Sequence, residues 1–122
     1  MQHSPGFLAI VQSVLPRVRT CSADDVRAMQ GRGDAFHLVD VREDHEWAEG
    51  RIAGATHLGK GIIERDVERT IPDHDAAIVL YCGGGYRSAL AADALRQMGY
   101  TNVLSMDGGW KTWLAAGGAT EG

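Results

Sequence analysis

Apolar positions Phe7, Leu8, Val11, Val14 and Leu15 recur at helical spacing and stop at Pro16. They predict an amphipathic N-terminal helix over residues 1–16. A short strand is expected over 17–20. Ser22 then offers an N-cap, with Asp24 and Asp25 in the first turn, where the helix dipole favours negative charge. That helix carries Val26 and Met29 inward and ends near Gly31 and Gly33. Phe36-His37-Leu38-Val39-Asp40-Val41 is a mostly apolar run of strand length. Residues 43–49 read as a short helix anchored by Trp47, with Gly50 and Gly54 in the turn beyond. Thr56-His57-Leu58 is a weak strand. Ile62, Ile63 and Val67 give helical spacing over 61–69.

After a turn at Pro72-Asp73, Ala76-Ala77-Ile78-Val79-Leu80-Tyr81 shows no polar alternation. Such a strand is buried on both faces, as in a parallel sheet. Cys82-Gly83-Gly84-Gly85-Tyr86 follows, then a helix over 87–98 with Gly99 at its C′ position. Asn102-Val103-Leu104-Ser105-Met106 is the last expected strand. Asp107-Gly108-Gly109 turns into a final helix carrying Trp110, Trp113 and Leu114, and residues 117–122 are expected to fray. The alternation predicts an α/β fold in three layers, a mainly parallel central sheet with helices on both faces. Ligands of such sheets bind beyond the carboxyl ends of the strands, where Cys82 is expected.

At 122 residues the chain suits one domain. Hydrophobic residues at 44% and charged residues at 23% exclude a disordered or low-complexity chain. Twelve Lys and Arg against 16 Asp and Glu give a net charge of -4, which argues against a nucleic-acid partner. An anionic substrate therefore needs a local positive site. No apolar stretch is long enough to span a membrane, and no basic residue precedes the run at 7–15 as a secretion signal requires. A cytoplasmic protein with reduced thiols is expected. Cys21 and Cys82 form no CxxC, and the five histidines show no metal-binding spacing, so no metal site is expected. The histidines read as scattered surface or capping residues.

The segment Cys82-Gly83-Gly84-Gly85-Tyr86-Arg87-Ser88 carries the chemistry. Three glycines let the backbone curl so that successive N–H groups point inward as an anion nest. The following helix adds unsatisfied N–H groups and the positive end of its dipole. Arg87 adds a fixed charge with bidentate geometry. Together these stabilise a thiolate and an anion beside it, which suits a cysteine nucleophile acting on a small anion. Gly83 and Gly85 form a GxG, but no third glycine follows where a dinucleotide loop requires one.

Residues 82–87 resemble the CxxGxR loop of active rhodanese domains, the sulfurtransferases. Leu38-Val39-Asp40-Val41-Arg42-Glu43 resembles their DVRE strand end. Glu46-Trp47 with Gly50-Arg51-Ile52-Ala53-Gly54-Ala55, and Met106-Asp107-Gly108-Gly109-Trp110, resemble two further segments in the same order. The likeness spans roughly 19–114, so a rhodanese domain is expected over 17–116. Arg51 stands where the family often has His, and Ala53 where it often has Pro. The resemblance implies sulfur transfer without metal or organic cofactor. Cys82 would take the outer sulfur of a small anionic donor such as thiosulfate, and a thiol, thioredoxin or cyanide would accept it. Gly83, Gly84, Gly85, Tyr86 and Arg87 would bind the anion.

Four residues separate Cys82 from Arg87, whereas the related phosphatases place five there for a larger tetrahedral anion. The first alternative is a non-catalytic binding module of the same fold, which usually lacks the cysteine, and a phosphatase or arsenate reductase is a weaker one. Asp40 and Arg42 either frame the loop or simply pair with each other. Ser88 either supports the sulfur or merely starts a helix. Lys60 and Arg65 are read as a salt-bridged surface beside Glu64 and Asp66. The three tryptophans are read as core anchors, and Cys21 as structural.

Overall fold

The computed structural model describes residues 2–122; Met1 of the expected N-terminal extension lies outside them. In chain order the elements are α1 (Pro5–Val14), a 3-10 turn (Leu15–Arg17), β1 (Arg19–Cys21), α2 (Ala23–Arg32) and β2 (His37–Asp40). Then come α3 (Asp44–Glu49), β3 (Arg51–Ile52), β4 (Thr56–His57), α4 (Ile63–Thr70) and β5 (Ile78–Tyr81). The chain ends with α5 (Tyr86–Gln97), β6 (Val103–Met106), α6 (Gly109–Ala115) and β7 (Thr120–Glu121). Local signals account for several boundaries. Ser22 and Asp25 form a reciprocal capping box at the start of α2, and Gly33 closes that helix at φ +73°.

Five strands form one sheet in the order β1-β6-β5-β2-β4, every neighbouring pair parallel. All four residues of β5, the middle strand, are buried, as its unbroken apolar run requires. Alternate side chains divide between two cores. Ile78, Leu80 and Cys82 pack with Ile63 and Val67 of α4 and with Ala91, Ala92 and Leu95 of α5. Val79 and Tyr81 pack on the other side with Val26 of α2 and Trp113 of α6. The three layers follow directly from this alternation. α1 lies outside them and packs on α5 through the buried Val11 and Val14.

Three expectations change. The tail at 117–122 does not fray. β7 pairs antiparallel with β3, and Ala119 O accepts from Ala53 N (3.0 Å) and from the Trp113 indole N–H (3.0 Å). Two-residue strands carry no periodic signal, so the sequence could not announce them. Of the three tryptophans only Trp113 is fully buried. Trp47 and Trp110 are half-buried and lie beneath arginines, with Arg51 4.4 Å from the Trp47 ring and Arg42 4.8 Å from that of Trp110. Leu15 and Leu114 are exposed rather than inward.

Candidate active site

β5 ends at Tyr81, and residues 82–85 carry the chain into α5. Gly85 caps that helix at φ +101°, a conformation glycine adopts freely, and a Cβ there would also come to 3.0 Å from Gly108 N. The start of α6 pins the loop from outside. Trp110 N–H donates to the Cys82 carbonyl (2.7 Å) and Lys111 N–H to the Gly83 carbonyl (3.2 Å). With these carbonyls turned away, later amides turn inward. Gly85 N–H and Ser88 N–H donate to Cys82 Sγ at 3.0 and 3.4 Å. Tyr86 and Arg87 occupy the first turn of α5, so their amides have no acceptor within the helix.

Ser88 Oγ lies 3.6 Å from Sγ, 3.2 Å from the Gly85 carbonyl and 2.8 Å from Ser105 Oγ. A hydroxyl has one proton to give. When Ser105 donates to Ser88, the Ser88 proton is shared between the Gly85 carbonyl and the sulfur. Ser88 can therefore accept from a thiol or donate to a thiolate.

Arg87 does not hold its charge free. It forms a two-pronged ion pair with Glu46 of α3, Nη1 to Oε1 at 2.7 Å and Nη2 to Oε2 at 3.0 Å. The hydrogen bond from Arg87 is the main reason that the Glu46 carboxyl is held down to about 2, and the Glu43 N–H adds to it. Cys82, only 1% exposed, lies at the floor of an open pocket of about 450 Å³. Gly84, Tyr86 and Arg87 form one side of it, and Glu43, His45 and Glu46 another. His3 and Phe7, from the N-terminal extension, form the third.

The family model of the rhodanese-like domain matches residues 22–116. The chain belongs to that family. The thiosulfate sulfurtransferase GlpE of Pseudomonas entomophila is 34% identical over 87 residues, covering 71% of this chain and 78% of its relative. Among solved structures, a Rhodopseudomonas palustris protein of unknown function, suggested as a possible tyrosine phosphatase, has a TM-score of 0.88 at 28% identity. It covers 99% of this chain and 98% of its own. The rhodanese-like domain of an Anabaena protein has a TM-score of 0.78 at 28% identity, covering 84% of this chain and 78% of its own.

Within this rhodanese-like domain the remaining sequence candidates separate cleanly. Asp40, fully buried, accepts from Arg42 Nε (3.0 Å), Arg42 Nη2 (2.7 Å), Arg42 N (2.9 Å) and Tyr81 OH (2.8 Å). Arg42 also donates to the Gly50 carbonyl (2.7 Å). Both charges are satisfied in this cluster, and neither residue lines the pocket. Arg65, exposed, pairs with the buried Asp66 (2.8 Å) as expected, whereas Lys60 lies outside the pocket and forms no ion pair among the described residues. Cys21 sits in the core on the α2 and α6 side of the sheet, where burial pushes its thiol up to about 11. Among the described residues no His, Cys, Asp or Glu cluster has the makings of a metal site.

Sequence reasoning missed Glu46 as a site residue, although it was part of the Glu46-Trp47 motif. The usable signal was an acid just beyond the carboxyl end of β2, the same sheet edge as Cys82. His3 and His45, expected as surface residues, are exposed and also line the pocket mouth. No sequence signal marked His3 or Phe7.

Proposed function

We propose that the protein is a sulfurtransferase that moves a sulfane sulfur through a persulfide on Cys82. The carrying observation is the Cys82 sulfur itself, held by the Gly85 and Ser88 amides at the start of α5, with Arg87 in the same pocket. The amides and the helix dipole stabilise the thiolate. That thiolate attacks the outer sulfur of thiosulfate or a similar donor. The donor S–S bond breaks, its electron pair leaves with sulfite, and Cys82 keeps the outer sulfur. The extra sulfur meets the Tyr86 and Arg87 amides and the Arg87 charge. Cyanide, a small thiol or a thioredoxin thiolate then attacks it and returns Cys82 as thiolate. The attack by the thiolate form uses no general base. This reading involves no metal, nucleic acid or membrane. Two free cysteines suit a reducing cytoplasm, and no helix among the described residues is long and apolar enough to cross a membrane.

Intact mass before and after thiosulfate, without reductant, tests the reading. A gain of about one sulfur atom, reversed by cyanide or a thiol and absent in Cys82→Ser, is expected. No adduct from thiosulfate or polysulfide would overturn it in favour of a binding module. Phosphatase and arsenate-reductase turnover would then be measured, in view of the Rhodopseudomonas relative.

A further inference from the structure

One wall of the pocket comes from residues that precede the matched family region of 22–116. Helix α1 is fixed on α5 by Val11 and Val14, and Arg17 beyond it pairs with the buried Asp93 of α5 (3.2 Å). This docking brings Phe7 and His3 to Tyr86, in the first turn of α5. The ring centroids lie 5.3 Å apart for His3 and Phe7, 5.0 Å for His3 and Tyr86, and 6.1 Å for Phe7 and Tyr86. Three rings therefore form one aromatic surface beside the reactive sulfur. Cyanide and thiosulfate have no carbon body to lay against it. Glu43 and Glu46 line the pocket too. Arg87 matches Glu46, while Glu43 has no ion pair among the described residues. An additional carboxylate on a ligand meets like charge there.

We infer that α1 belongs to the substrate site, and that His3, Phe7 and Tyr86 form a subsite for the carbon body of the sulfur acceptor. The acceptor class is a small organic thiol with an aromatic or alkyl body and no carboxylate. This rests on the sulfurtransferase reading above. In the step it serves, the acceptor thiolate attacks the terminal sulfur of protonated Cys82 persulfide. The Cys82 S–S bond breaks and its electron pair stays on Cys82 as thiolate. The terminal sulfur and its proton leave as the acceptor's persulfide.

The test discharges persulfidated protein with benzyl mercaptan, mercaptosuccinate or cyanide, follows Cys82 by intact mass and expresses thiol rates per thiolate. Wild type is expected to prefer benzyl mercaptan over mercaptosuccinate about tenfold. In Phe7→Ala the ratio of benzyl mercaptan to cyanide rates should fall about five- to tenfold, the scale of losing one partly buried ring. Phe7→Leu should restore most of that ratio. Equal loss with all three acceptors would reduce α1 to a structural prop and overturn the inference, as would an unchanged ratio in Phe7→Ala. Wild type that loads sulfur but does not discriminate removes this inference alone. Wild type that loads none removes the sulfurtransferase reading and this inference together.

Discussion

Arg87 and Glu46 reach toward each other from helices that follow different strands, and they share two hydrogen bonds of 2.7 and 3.0 Å beside the Cys82 pocket. The arginine that would hold an anion is thus already engaged by a carboxylate. An incoming anion competes for Arg87 rather than finding it free, while the pair fixes the guanidinium beside the loop.

The pair has a pH signature. Glu46 is held at about 2, below its ordinary 4.5, chiefly by the Arg87 hydrogen bond. Its stabilisation is therefore fully present above about pH 4.5 and is lost as pH falls toward 2. Thermal unfolding of wild type and Glu46→Gln should differ by a constant amount above pH 5, on the order of 1 kcal/mol for a partly exposed pair. The difference should shrink steadily below pH 4.5. A difference independent of pH would contradict the assignment.

The Asp40 cluster predicts a purely structural defect. Asp40→Ala leaves Arg42, 3% exposed, without its carboxylate and should cost about 3–5 kcal/mol in urea unfolding. Tyr81→Phe removes the hydroxyl that donates to Asp40 and accepts from Ile52 N–H (3.1 Å). It should cost about 1–3 kcal/mol. Tyr81→Phe as damaging as Asp40→Ala would show that the arginine pair is not the centre of the cluster.

Gly109 and Gly84 make a matched contrast. A Cβ on Gly109 (φ +53°) would overlap the Cys82 carbonyl, whereas one on Gly84 meets no atom within 4 Å. Gly109→Ala should break the Trp110 to Cys82 hydrogen bond and slow sulfur loading by more than about tenfold, since a displacement near 1 Å at a reacting group has that effect. Gly84→Ala should fold with stability within about 0.5 kcal/mol of wild type. Normal loading in Gly109→Ala would mean that α6 does not shape the loop.

Deleting residues 117–122 removes β7 and the Ala119 carbonyl that accepts from the Trp113 indole. A buried N–H without a partner costs about 1–3 kcal/mol. Tryptophan emission should shift to longer wavelength and the melting temperature should fall. Unchanged emission would show that the tail leaves Trp113 undisturbed.

What the sequence disclosed was contiguous. The N-cap at Ser22, the unbroken apolar strand ending at Tyr81 and the glycine loop before Arg87 each lie within a few residues, and each appeared as expected; the reciprocal bond from Asp25 came only with the structure. The partners it hid are distant along the chain. Glu46 and Arg87 are 41 positions apart, and Tyr86 meets the rings of His3, before α1, and Phe7, in its first turn. Nothing in local periodicity pairs such positions. The tryptophans misled for a related reason: size suggests burial, but an indole can equally carry an arginine across its face, as Trp47 and Trp110 do.

Every neighbouring pair in the five-stranded sheet is parallel, so no pairing can begin as a hairpin. Each contact must close a long stretch of chain before it is rewarded, which makes the folding nucleus slow to assemble. Cys82, Glu46 and the Trp110 amide come from segments that follow three different strands, β5, β2 and β6. A chain emerging from the ribosome therefore carries Cys82 without the Trp110 amide on its carbonyl, a contact that forms only once α6 has docked.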